Sequence, residues 1–156
     1  MKLSVLFICL GNICRSPAGE EILRQMASQE QQVKVEVASC GLGSWHAGEL
    51  PDSRMRAAAK KRGYNLQSRA QSFQRQYFEQ YDYLLAADRS VLDELKKLAS
   101  KDEHLKKLFL INDFSLSFQN LDIPDPYYKG DEGFEEVLDM LEEACAGFIG
   151  KVQSHV

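Results

Sequence analysis

The chain has 156 residues, 44% hydrophobic and 27% charged, which suits a single folded domain over residues 1–156. Its 23 acids against 19 bases leave a net charge of −4, arguing against nucleic acid or an anionic membrane surface as partner. No apolar stretch approaches the roughly 18 residues of a membrane span, and the four cysteines form no C-x-x-C pair, which disfavours a disulfide scaffold or structural zinc. In chain order, Lys2–Ile8 is a nearly continuous apolar run, the pattern of a strand buried on both faces of a parallel sheet. It runs straight into Gly-Asn with no small-residue cleavage pattern, so a strand is preferred over a signal peptide. A helix is expected from Pro17 to about Ser28, with Ser16 as N-cap. Val33, Val35 and Val37 alternate with charged residues and predict a half-exposed strand at a sheet edge. Asp52 or Ser53 can cap a helix through Met55 and Ala59 that stops at Gly63.

Further along, Tyr81–Ala87 predicts a buried strand, and Asp88 caps a helix with Leu92, Leu95 and Leu98 on one face. The charged run from Lys96 to Lys107 is expected to be a solvated helix end, and Leu108–Ile111 a short fourth strand. Phe134, Val137, Leu138, Leu141, Cys145, Phe148 and Ile149 recur at the spacing of a final helix, with Cys145 on its apolar face. This alternation predicts an α/β three-layer sandwich: a central four-stranded parallel sheet with helices on both faces. Such sheets bind ligands beyond the carboxyl ends of their strands. The loops after the first and fourth strands, Cys9–Ser16 and Leu121–Tyr128, should therefore open on one side.

The run Cys9-Leu10-Gly11-Asn12-Ile13-Cys14-Arg15-Ser16-Pro17 joins a strand to a helix and can curl its N–H groups around a tetrahedral anion. Gly11 and Asn12 tolerate left-handed backbone. The helix N-terminus turns partial positive charge to the same spot, and Arg15 adds a bidentate fork for phosphate oxygens. A cysteine ending a strand is commonly just a small buried hydrophobe. Here, helix terminus and guanidinium together favour the thiolate, and Ser16 can donate a hydrogen bond to the sulfur. Cys9 then becomes a nucleophile at the floor of an anion cradle, suited to phosphoryl transfer. Expelling a phenolate calls for a general acid. Ile123-Pro124-Asp125-Pro126-Tyr127-Tyr128 offers Asp125, whose flanking prolines stiffen the backbone. Asp122 is the rival carboxylate without proline on either side.

The cysteine run resembles the phosphate-binding signature of the low-molecular-weight protein tyrosine phosphatases, and the resemblance extends from the first strand to the last helix. It implies a cysteine-dependent phosphatase acting on phosphotyrosine in proteins and on small aryl phosphates through a phosphocysteine intermediate. Cys9, Arg15 and Asp125 would be catalytic. Leu10, Gly11, Asn12, Ile13, Cys14, Arg15 and Ser16 would bind phosphate. Trp45 would form one cleft wall, with Tyr127 and Tyr128 opposite, where a flat ring can stack. Asn12, Ser16, Ser39 and Asp88 match positions that support the loop. The resemblance also supports Cys14 as redox partner of an oxidised Cys9, although simple packing explains it as readily. His46 carries no assignment. Departures are Ser68, where many members have a histidine and which leaves bracing to water or another residue, Cys40-Gly41-Leu42, and Lys129.

Three other readings remain open. Arginine phosphatases of this fold tend to have Thr where this loop has Ile13, whereas Ile13 and Tyr127 suit an aromatic substrate. Arsenate reductases share the cradle but use an additional late cysteine pair, a spacing that Cys40 and Cys145 do not provide. A binding or redox-sensing module without turnover has no use for Asp125. No cofactor and no metal are expected, and a cytoplasmic monomer without nucleic-acid or membrane partners is the expectation.

Overall fold

The computed structural model describes residues 2–127 and 129–154. Four parallel strands, β1 (Lys2–Cys9), β2 (Lys34–Gly41), β3 (Tyr83–Ala86) and β4 (Leu108–Leu110), pair in the order β2-β1-β3-β4. The helices are α1 (Arg15–Ser28), α2 (Ser53–Lys61), α3 (Tyr77–Gln80), α4 (Arg89–Leu98), α5 (Asp102–Leu105) and α6 (Asp131–Gln153), with a 3-10 turn at Ile111–Phe114. Because side chains of a strand alternate between faces, β1 feeds two cores. Val5 and Phe7 pack with α1 and α6 through Ile22, Leu23, Phe134 and Phe148. Leu6 and Ile8 pack on the other face with Leu84, Val91, Leu95 and Phe78. The expected three-layer α/β arrangement is therefore what the chain adopts.

Several element ends follow the sequence reading. Asp52 caps α2 by accepting from the amides of Arg54 and Met55, and Asp88 caps α4 by accepting from that of Val91. Gly63 takes a positive φ just beyond α2. The strand β2 lies at the sheet edge as expected, but it runs on to Gly41. There Gly41 donates to Gln71 O and accepts from Phe73 N, so the segment after Ala70 covers the end of that edge.

Two expectations are corrected. Ser16 is not the N-cap of the first helix: α1 begins at Arg15 with Cys14 as N-cap and no side-chain cap. The reason is that the Ser16 hydroxyl turns inward to the Cys9 sulfur and is unavailable to the helix end. The run from Lys96 to Lys107 is not simply a solvated helix end either. The chain turns after Leu98 and α5 carries His104 inward, where it is 5% exposed. Its ring stacks on Phe78 at 4.5 Å, with Nε2 beside Glu79 at 2.6 Å and Nδ1 accepting from Ser100 N. An aromatic stack with both ring nitrogens satisfied offsets the cost of burying a polar ring.

One close backbone approach holds α6 against the 3-10 turn. A Cβ on Gly147 would lie 1.8 Å from the Phe114 carbonyl oxygen, and neither helix can shift without disturbing the core. Gly147→Ala should cost about 1–3 kcal/mol in urea unfolding, the range for overpacking. An unchanged midpoint would show that the two elements slide freely.

Candidate active site

The loops that follow β1 and β2 and the segment that carries Asp125 line a cleft of about 320 Å³, which brings together both loops singled out above. Cys9 ends β1 and is 3% exposed. Ser16 Oγ lies 2.9 Å from Cys9 Sγ, and Asn12 N donates to the same sulfur at 3.2 Å. Asn12 takes the left-handed conformation, φ 59°, that brings its amide back over the sulfur. Gly11 does not use a positive φ. Its place instead brings it close to the His46 ring, 3.2 Å from where a Cβ would stand.

A polar network beneath the loop sets this curl. Asn12 Nδ2 donates to Ser16 Oγ at 2.7 Å and to Ser39 Oγ at 3.0 Å. Since Ser16 accepts from Asn12, its own proton is left for the sulfur or for the Cys40 carbonyl 3.4 Å away. Ser39 in turn donates to Glu20 at 2.5 Å, and Arg24 pairs with the other Glu20 oxygen. Gln71 completes the frame: its amide donates to Asn12 Oδ1 and its side chain to Ser39 O, both at 2.9 Å. Glu20 and Gln71 thus brace the network beneath the loop. Neither was singled out in the sequence. Glu20 could have been, because it lies four residues after Ser16 and so shares its helix face; Gln71 carries no such signal.

Arg15 is buried and connects three segments. Its Nη1 donates to Asp88 Oδ2 at 2.7 Å and to the Ile123 carbonyl at 2.9 Å, while Nη2 lies 3.9 Å from Asp125 Oδ2. Burial works against its charge, but Cys9, Asp88 and Asp125 outweigh it and hold the guanidinium above its ordinary pKa. Asp125 is on the cleft wall, with Oδ1 accepting from Tyr127 N at 3.0 Å. Asp122 points elsewhere and accepts from Arg89 N. The thiol of Cys14, also in the cleft, is pushed up chiefly by burial and then by the charges of Asp52, Cys9 and Asp125. It remains a thiol under ordinary conditions.

Trp45, 69% exposed, and Tyr127, 38% exposed, stand at the cleft mouth with Leu10 and Ile13. Tyr128 lies outside the described residues. His46 also borders the cleft, its Nδ1 paired with Glu49. Of the other residues singled out in the sequence, Ser39 contacts Asn12 and Asp88 contacts Arg15. Among the described residues, no group of three or more His, Cys, Asp or Glu side chains is arranged to hold a metal ion, and no helix is long and apolar enough to cross a membrane.

The cysteine loop packs directly on the end of β2. A Cβ on Gly41 would stand 2.9 Å from Asn12 N and 2.9 Å from Gly11 C, both backbone atoms that cannot rotate aside. Leu42 N and Gly43 N donate to the carbonyls of Cys9 and Leu10 across the same contact. Gly41→Ala should therefore displace the loop. Calorimetric titration with inorganic phosphate is expected to weaken by about tenfold or more, since displacements near 1 Å are costly at such sites. Binding equal to wild type would mean that the contact does not shape the cradle.

The family model for low molecular weight phosphotyrosine protein phosphatase matches residues 4–156. A low molecular weight protein-tyrosine-phosphatase of Streptomyces coelicolor is 38% identical over 159 aligned positions, covering 100% of this chain and 97% of the relative. A product-state mimic structure of the protein tyrosine phosphatase from Entamoeba histolytica superposes with a TM-score of 0.91 at 36% identity, covering 97% of this chain and 96% of that one. The fold also accommodates a Drosophila arginine phosphatase, at a TM-score of 0.84, 30% identity and coverage of 95% and 96%. With signature loop, sheet topology and whole-length similarity in agreement, this chain belongs to the low molecular weight protein tyrosine phosphatase family.

Proposed function

We propose that Cys9 is the nucleophile and Asp125 the proton donor in hydrolysis of phosphotyrosine on proteins and of small aryl phosphates. The observation carrying this reading is that one buried guanidinium, Arg15, is shared by the Cys9 loop and the Asp125 segment, with Asp125 Oδ2 3.9 Å from Nη2. In the first step Cys9 Sγ attacks phosphorus and the bond from phosphorus to the aryl oxygen breaks. Asp125 gives that oxygen its proton. The loop amides and Arg15 hold the three equatorial oxygens, where charge is spread in the transition state. In the second step the Asp125 carboxylate takes a proton from water. The water oxygen attacks phosphorus, the P–S bond breaks, and inorganic phosphate leaves with the thiolate restored.

Trp45 and Tyr127 at the mouth fit a flat aromatic ring, which supports phosphotyrosine over phosphoarginine. Matched peptides bearing each phosphoamino acid test the choice: faster turnover of the arginine peptide would reverse it. Cys9→Ser should abolish aryl phosphate hydrolysis in the presence of a chelator. Asp125→Asn should lower kcat/KM by roughly 10²–10⁴-fold on a phenol with pKa about 10 and by much less on an acidic phenol. Turnover surviving Cys9→Ser, or a uniform loss in Asp125→Asn, would remove the respective assignment.

Cys14 supports a protective role beside the nucleophile. Peroxide converts the Cys9 thiolate to a sulfenic acid; the Cys14 thiol attacks that sulfur and water leaves as the disulfide forms. Mass spectrometry after mild peroxide should find the chain lighter by two hydrogens and restored by dithiothreitol. Direct progress to an irreversible sulfinic acid would refute it. Four free, buried thiols fit a reducing compartment such as the cytoplasm.

A further inference from the structure

The segment carrying Asp125 is exposed and irregular, yet a general acid must stand at a defined distance from the leaving oxygen. Upstream it is anchored at Ile123, whose amide donates to Ala87 O and whose carbonyl accepts from Arg15, both at 2.9 Å. Downstream, Arg54 on α2 donates from Nη2 to the Tyr127 carbonyl at 3.0 Å. The same guanidinium is held by Asp52, through Nη2 to Oδ2 at 2.9 Å and Nε to Oδ1 at 3.2 Å. Asp52 is itself fastened to the cysteine loop, its amide donating to the Ile13 carbonyl at 2.8 Å. Arg54 also lies over the rings of Tyr127 and Phe134, with centroids at 5.3 Å and 4.9 Å.

A short path therefore runs from Ile13 through Asp52 and Arg54 to Tyr127, two residues beyond Asp125. We propose that Arg54, clamped by Asp52, is a positioning residue that ties the acid segment to the anion-binding loop. It sets where Asp125 delivers its proton. The inference rests on the reading of Asp125 as proton donor. The task suits arginine in particular, because a planar fork can bond a carboxylate and a carbonyl while also resting against aromatic rings. A lysine keeps the charge without that geometry.

The test uses kcat/KM, which reports the first chemical step, on phenyl phosphate and on an aryl phosphate with an acidic phenol. Arg54→Ala should lose about 10–100-fold on phenyl phosphate, the scale of a misplaced catalytic group, and little on the acidic phenol. Arg54→Lys should behave like Arg54→Ala, and adding Arg54→Ala to Asp125→Asn should cause no further loss. Equal losses on both substrates, full activity in Arg54→Lys, or an undiminished effect in the Asp125→Asn background would each overturn the proposal. Hydrogen exchange provides a readout independent of turnover. The Tyr127 and Lys129 amides should exchange faster in Arg54→Ala while α2 keeps its protection, and unchanged exchange would also overturn it. A wild-type protein inert toward aryl phosphates would sink the reading of Asp125, while exchange would still decide whether Arg54 restrains the segment.

Discussion

A single buried cation organises this molecule's cleft. Arg15 sits at the start of α1, and its guanidinium reaches Asp88 after β3 and both Ile123 and Asp125 after β4. Three loops separated by up to 110 positions thus meet on one side chain. A buried guanidinium is tolerable only when its donors are occupied and its charge is offset. Asp88 provides the charge and Ile123 a carbonyl, so the requirement to satisfy Arg15 draws the loops to the same place. Asp88 does this with its second oxygen while the first caps α4, which makes the direction of that helix part of the site.

Beneath the arginine, the sulfur rests on a frame of neutral donors. Asn12 contacts the sulfur through its backbone and reaches Ser16, Ser39 and Gln71 through its side chain. Such a buried network is rigid when every member is satisfied, and here it ends on Glu20, a carboxylate accepting from Ser39 and Arg24. The thiols differ accordingly. Cys9 faces a hydroxyl and an amide, whereas Cys14 meets burial and the negative charges of Asp52, Cys9 and Asp125, which keep its proton on.

Local pattern was legible wherever one short segment carried the whole physical reason. The apolar run of β1, the caps at Asp52 and Asp88, and the heptad-like spacing of α6 each follow from neighbouring residues. The cysteine loop was equally legible, because Cys9, Asn12, Arg15 and Ser16 act within eight positions of one another. Asp125 could be placed near it because parallel sheets open their loops at the carboxyl ends of the strands. Where the expectation failed, a competing partner had claimed the side chain. Ser16 serves the sulfur in place of the helix end, and His104 is drawn inward by Phe78 and Glu79 from a segment that looks solvated.

The amino-acid order alone therefore determined the strand–helix alternation, the curl of the cysteine loop and the family to which both belong, since these depend on contacts between near neighbours. Tertiary structure decided the rest: the backing of the curl by Glu20 and Gln71, the approach that Gly41 permits, and the tie from Asp52 and Arg54 to Tyr127. Apart from the helical spacing of Glu20 to Ser16, the contacts of Gln71, Gly41 and Tyr127 join residues tens of positions apart with no periodicity to announce them. Their geometry exists only once the sheet order has set which loops lie side by side.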